Sequence, residues 1–151
     1  MSALSTYTIT GPATSGHVRG AGLLDFLASA ILAMIAFPQP IARAAITGAG
    51  LPVGVFVALI FAIIFAVYWA YLMLSAMAWG RSVGMYLLDL GLDAPRRLTF
   101  AAAAGWAIGW VLAALPAMLG ITAAFDPEHG LPARLGRTAT RSTREQRSPD
   151  A

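Results

Sequence analysis

The stretch Leu51–Trp79 constrains this chain more than any other. It reads LPVGVFVALIFAIIFAVYWAYLMLSAMAW and holds no charged residue. As one helix it would run roughly 43 Å at 1.5 Å per residue. The hydrocarbon core of a bilayer is roughly 30 Å thick. A small soluble domain rarely buries so long an unbroken apolar helix, so the stretch is predicted to span a membrane.

Small residues recur along it at every fourth position: Gly54, Ala58, Ala62, Ala66 and Ala70. That spacing drifts by roughly 40° per step, so the five form a slowly winding smooth stripe. In lipid, where no hydrophobic force drives helices together, such a stripe lets a second backbone come close. Composition agrees with a membrane setting. Of 151 residues, 58% are hydrophobic and only 11% charged, which sets the chain apart from soluble domains. There is no cysteine, which excludes disulfides and thiolate chemistry. All ten basic residues are arginine, which with the alanine richness fits a GC-rich bacterial genome.

Two further spans are expected. The first covers about 22–38 and ends at Pro38 and Pro40, after a Ser-, Thr- and Gly-rich stretch, 1–16, expected to be a flexible lead-in. A cleaved leader is the rival assignment, because Ala42-Arg43-Ala44 has the small-x-small form of a cleavage site. Asp25 at the head of the apolar region argues against it. The last span covers about 98–125. In it Ala101, Gly105, Gly109, Ala113 and Ala117 form another fourfold stripe with a GxxxG, and Pro116 and Gly120 are expected to kink or break the helix. The expected fold is an all-α membrane protein of three transmembrane helices packed through small-residue stripes. Its domain would cover 17–130, followed by a basic, disordered tail, 131–151.

Asp25 is the most informative single residue. Ala21, Asp25, Ser29 and Ala33 share one fourfold stripe, so the acid points with small residues toward a partner helix. An acid at that depth needs a partner, a proton or water, and is a functional candidate for that reason. Arg19, Arg81 and Arg97 are its candidate ionic partners. Between the last two spans, Gly80–Arg97 mixes apolar residues with glycines and charges, and is expected to lie at the interface in short extended pieces. Asp93, ahead of Pro95, is the expected cap of the next helix. Tyr68, Trp69 and Tyr71 suit either an interfacial belt or internal packing.

Arg81, Arg96, Arg97, Arg134 and Arg137 are expected to anchor the protein at the membrane interface and to meet anionic lipid headgroups. Nucleic acid is not an expected partner, since no folded basic surface accompanies the arginine-rich tail. No nucleotide-binding loop, serine elbow or metal-ligand pair occurs. Asp126, Glu128 and His129 read as a solvated turn rather than a metal site. No cofactor, metal or enzymatic activity is expected.

Three stretches together resemble the RDD family of small bacterial membrane proteins. They are Arg19–Asp25 (RGAGLLD), Gly80–Phe100 (GRSVGMYLLDLGL followed by RRLTF) and Phe125–Thr138 (FDPEHGLPARLGRT). The arginine stands one position later than is usual relative to the aspartate. Met85 stands where a lysine is common, Asp89 where a glycine is, and Ala133 where the third hallmark acid would be. The resemblance implies a bacterial plasma-membrane protein, and in some members cation–proton exchange.

Two functions fit the sequence. One is a helix-packing or accessory subunit of a membrane assembly, as a homo-oligomer or with other membrane proteins. The other is a small-solute or cation/proton transporter using Asp25, with Arg19 beside it. Three crossings would put the N-terminus, expected to be cytoplasmic, opposite the arginine-rich tail. Arginines then fall on both sides, and the positive-inside rule chooses neither. A re-entrant last segment turning near Pro116 would remove that conflict.

Overall fold

A computed structural model of the chain describes residues 7–36, 52–93, 98–118 and 125–145. It is mostly helical, with a small sheet at one end. Strand β1 (Tyr7–Pro12) leads into helix α1 (Ser15–Ala36), and α2 is Val53–Trp79. A short helix α3 (Val83–Leu87) and strand β2 (Leu90–Leu92) follow. Then come α4 (Phe100–Met118), the short α5 (Leu131–Gly136) and β3 (Thr140–Glu145). Helices α1 and α2 are long and apolar enough to cross a membrane.

The sheet corrects the all-α expectation. Its order is β1-β3-β2, with β3 antiparallel to both neighbours. Thr8 pairs with Arg144, and Leu90 pairs with Ser142. The described parts of both terminal segments are therefore structured where flexibility was expected. Tyr7–Pro12 is a strand rather than a flexible lead-in, and 131–145 holds a helix and a strand rather than a disordered tail. Neither terminal strand has a strong apolar alternation of its own. Each is held by the backbone ladder that the other completes.

The contacts between helices fix their directions. Phe26 packs on Phe65 with ring centroids 5.9 Å apart and on Tyr68 at 5.6 Å, so α1 and α2 run antiparallel. The Tyr68 hydroxyl lies 3.5 Å from Gly22 O. Trp69 Nε1 donates to Ala104 O at 3.4 Å, and Gly22 lies against the Trp110 ring, so α4 runs beside α1 in the same direction. Helix α2 returns the chain to the sheet, and α5, antiparallel to α4 with Leu135 at Gly105 and Pro132 at Gly109, does so again. The buried core sits in this half of the molecule, built from Val18, Ala21, Tyr68, Leu72, Met85, Leu90, Leu92, Trp106 and Trp110. Away from the sheet, α1 exposes Leu27, Ile31 and Ile35, and α2 exposes Val53, Val57 and Phe61.

Local signals explain where the helices stop. Gly80 ends α2 in the left-handed conformation (φ 69°), its N–H donating to Ala76 O at 3.0 Å. Glycine carries no Cβ penalty there. Thr99 begins α4, accepting from Ala102 N through its hydroxyl at 3.3 Å. Asp93 therefore does not cap this helix. Its carboxylate pairs with Arg141 at 3.3 Å instead. Helix α4 also runs unbroken through Pro116 to Met118, so the helix is not broken there. Pro38, Pro40, Ala42-Arg43-Ala44 and Gly120 lie outside the described residues.

The stripes have different fates. On α1, Ala21, Asp25, Ser29 and Ala33 are all buried. On α4, the GxxxG faces the chain's own α5: a Cβ on Gly105 would meet Leu135 O at 2.5 Å, and one on Gly109 would meet Pro132 Cα at 2.5 Å. Ala113 is buried. On α2, Gly54, Ala58, Ala62 and Ala66 stay exposed, and Ala70 is half-buried.

Candidate functional site

The buried acid Asp25, only 2% exposed, is the polar centre of the helical core. Its helix brings it opposite Tyr71 of α2, and the turn after α2 folds back down along α1 to reach it. Oδ1 accepts from the Tyr71 hydroxyl at 2.9 Å and from Gly84 N at 2.8 Å. Oδ2 accepts from the Ser82 hydroxyl. The acid's own carbonyl accepts from Ser29 Oγ at 2.8 Å, which ties the next turn of α1.

Each hydroxyl in this cluster also accepts. Ser82 Oγ takes Met85 N at 3.2 Å, and the Tyr71 hydroxyl takes Val83 N at 2.9 Å. The first turn of a helix always leaves N–H groups without intrahelical partners. Here Val83, Gly84 and Met85, the opening residues of α3, are capped by Tyr71, Asp25 and Ser82 in turn. Because both hydroxyls use acceptor capacity on backbone N–H groups, their own protons point at Asp25. The acid's two oxygens thus meet three donors.

Space at the cluster is as specific as its bonding. A Cβ on Gly84 would overlap Ala21 O and press on the Asp25 carboxyl. Only glycine lets α3 lie this close to α1. The cluster thus joins two of the stretches singled out in the sequence, Arg19–Asp25 and the segment that begins at Gly80.

Among the described residues, Asp25 does not pair with Arg19 or Arg81, two of its expected ionic partners. Its described partners are neutral donors rather than arginines, because the burial that surrounds it admits hydroxyls and a backbone N–H from a returning turn. Arg19 is exposed. Arg81 lies over the Tyr86 ring, 4.5 Å from its centroid. Arg96 and Arg97 lie outside the described residues. Arg134 and Arg137 are exposed on and just after α5. The Gly80–Arg97 segment is not a set of extended pieces alone, since α3 precedes β2. Ser82 was the legible signal: a serine two residues after a glycine and just before an apolar run is a helix N-cap pattern. Tyr68 and Tyr71 face the interior, and Trp69 is half-buried on α4.

A second polar group sits beside the sheet. Asp126 Oδ1 accepts from Glu128 N at 2.9 Å and His129 N at 2.6 Å, which closes a tight turn. These two backbone donors hold its carboxyl below the ordinary carboxylate range. Arg141 bridges Glu128 and Asp93, tying this turn to the sheet. Among the described residues no three acids or histidines are grouped to hold a metal.

No family model, curated protein or solved structure matches this chain.

Proposed function

We propose that the chain is a small integral membrane protein of RDD-like type that works by helix packing, as an accessory subunit of a membrane assembly. The observation that carries this is the unpartnered face of α2. Gly54, Ala58, Ala62 and Ala66 are exposed on a helix of 27 residues, and no atom lies where a Cβ on Gly54 would reach. The α1 stripe, and Gly105, Gly109 and Ala113 of the α4 stripe, are taken up by the chain's own packing. Asp25 supports the same reading. Its carboxylate is closed in and fully engaged by donors, which suits a structural tie between α1 and α3 more than a site that loads and releases an ion.

The sheet supports one orientation. Strand β3 pairs with the N-terminal strand and with β2, so the N-terminus, the turn after α2 and the C-terminal strand share one end. Arg19, Arg81, Arg134, Arg137, Arg141 and Arg144 belong to elements of that end. The positive-inside rule then favours that end facing the cytoplasm, as in a bacterial plasma membrane. Helices α1 and α2 cross, while α4 enters and the chain returns, with Phe125 packed on Trp110 at 5.3 Å between centroids.

The test is the mass of the complex extracted in mild detergent, with its copurifying proteins identified, for wild type, Ala62→Leu and Asp25→Asn. The packing role predicts a complex that Ala62→Leu dissociates and Asp25→Asn retains. A monomer in all three, with ion flux in vesicles that Asp25→Asn abolishes, would overturn it in favour of transport.

A further inference from the structure

The membrane reading leaves one plane of the protein chemically distinct. Contacts between elements set depths along the bundle. Gly22 of α1 meets the Trp110 ring of α4 and the Tyr68 hydroxyl of α2, and the neighbouring Trp69 meets Ala104, so Arg19, less than one turn above Gly22, lies near the level of residues 104–107 of α4. Helix α5 lies against α4 with Pro132 at Gly109 and with Leu135 and Gly136 at Gly105 and Trp106. That puts Arg134 at the depth of Arg19. Arg137, the residue after α5, follows within a turn.

All three side chains are exposed, and none has an acidic partner among the described residues. The nearby acids are engaged elsewhere. Asp25 is buried in its cluster, Asp93 and Glu128 are held by Arg141, and Asp126 closes its own turn. Directly below this plane the surface turns apolar: Leu23, Leu24 and Leu27 on α1, and Ile108 and Leu112 on α4, are exposed.

The lengths below the plane match a bilayer. From Arg19 to Ala36, α1 runs roughly 26 Å, and from the same level on α2, near Leu72, to Val53 is roughly 28 Å. Both approach the roughly 30 Å of a hydrocarbon core. The described part of α4 reaches Met118, roughly 16 Å below the plane.

We propose that Arg19, Arg134 and Arg137 form a headgroup-level surface that binds anionic phospholipid, their guanidinium groups taking the phosphates while the acyl chains lie on the exposed leucines and isoleucines below. Guanidinium matches phosphate with paired donors. Each arginine near an anionic surface contributes about fivefold in affinity. This inference rests on the membrane placement proposed above.

The experiment uses the full chain in mild detergent. Retention of phosphatidylglycerol or phosphatidylcholine is read by native mass spectrometry, and the thermal midpoint is read with each lipid added. Phosphatidylglycerol is expected to be retained and to raise the midpoint, phosphatidylcholine much less. Arg19→Gln, Arg134→Gln and Arg137→Gln should each weaken retention about fivefold. Arg141→Gln, whose charge is already engaged, should leave it unchanged. Should the glutamine variants fail to fold, the corresponding Arg→Lys variants, which keep the charge, must retain phosphatidylglycerol. Equal retention of the two lipids, or retention indifferent to the three substitutions, overturns the proposal. Equal stabilisation by glycerol phosphate, which lacks acyl chains, overturns it as well. Alkaline carbonate extraction separates the two levels of failure. A protein released from membranes defeats the membrane placement itself, whereas one that stays embedded without lipid preference defeats this inference alone.

Discussion

Replacing Asp25 by alanine is the sharpest perturbation that the structure offers. The substitution strands three buried donors at once: the Ser82 hydroxyl, the Tyr71 hydroxyl and Gly84 N. A hydrogen bond to a charged group contributes about 1.5–3 kcal/mol, and an orphaned buried donor costs about 1–3 kcal/mol. The loss is partly offset, since the carboxylate's own burial is relieved and the hydroxyls can rotate. The net destabilisation expected is about 3–5 kcal/mol, from three stranded donors at about 1–3 kcal/mol each less that relief. Asn keeps an acceptor for Gly84 and Tyr71 but turns its NH₂ toward Ser82, whose proton then has no acceptor, so it should cost about 1–2 kcal/mol. The assay is reversible unfolding in mixed micelles, with amide exchange at Val83, Gly84 and Met85. Tyr71→Phe should couple to Asp25→Ala by more than about 0.5 kcal/mol, because the two groups cap the same turn. An alanine variant within about 1 kcal/mol of wild type, with the Gly84 amide still protected, would refute the capping argument.

Three other outcomes follow from single positions. Gly84→Ala forces a Cβ onto Ala21 O and should cost about 1–3 kcal/mol, visible in the same unfolding assay and as lost protection of α3 amides. Asp89 holds a left-handed conformation at φ 51° on an exposed turn. Asp89→Gly should therefore raise stability by about 0.5–1 kcal/mol, read as a higher thermal midpoint. Asp126 is held below the ordinary carboxylate range by the N–H groups of His129 and Glu128. Its small contribution is complete above the unfolded carboxylate value near 4 and fades only as pH falls through the lower folded value. Acidification from pH 7 to 5 should leave the turn intact, and a carbon NMR titration of the Asp126 carboxyl should show its midpoint below that of a free aspartate.

The apolar framework was legible because it depends on local chemistry. An uncharged run such as Leu51–Trp79 can lower its free energy only by leaving water, and its helical period needs no distant partner to be recognised. The inward direction of Asp25 was legible for the same reason, from its register with Ala21, Ser29 and Ala33. Ser82 carried a readable cap signal, though its length of helix was too short to stand out.

What Asp25 bonds to was decided only in three dimensions. Tyr71 and Gly84 lie far along the chain from it, and the sequence offered arginines as the more obvious partners. Burial selected neutral donors from a turn that folds back beside α1. The sheet was likewise invisible. Tyr7–Pro12 and Thr140–Glu145 are weak strands apart: the first is completed by pairing with the second, and the second by pairing with both the first and Leu90–Leu92. The Gly105–Gly109 stripe announced a close approach but not its partner, which proved to be the short helix α5 rather than another spanning helix. Local periodicity determines which faces must be covered. Which segment covers them depends on loop closure and on the pairing of distant backbone groups, and those exist only once the chain has folded.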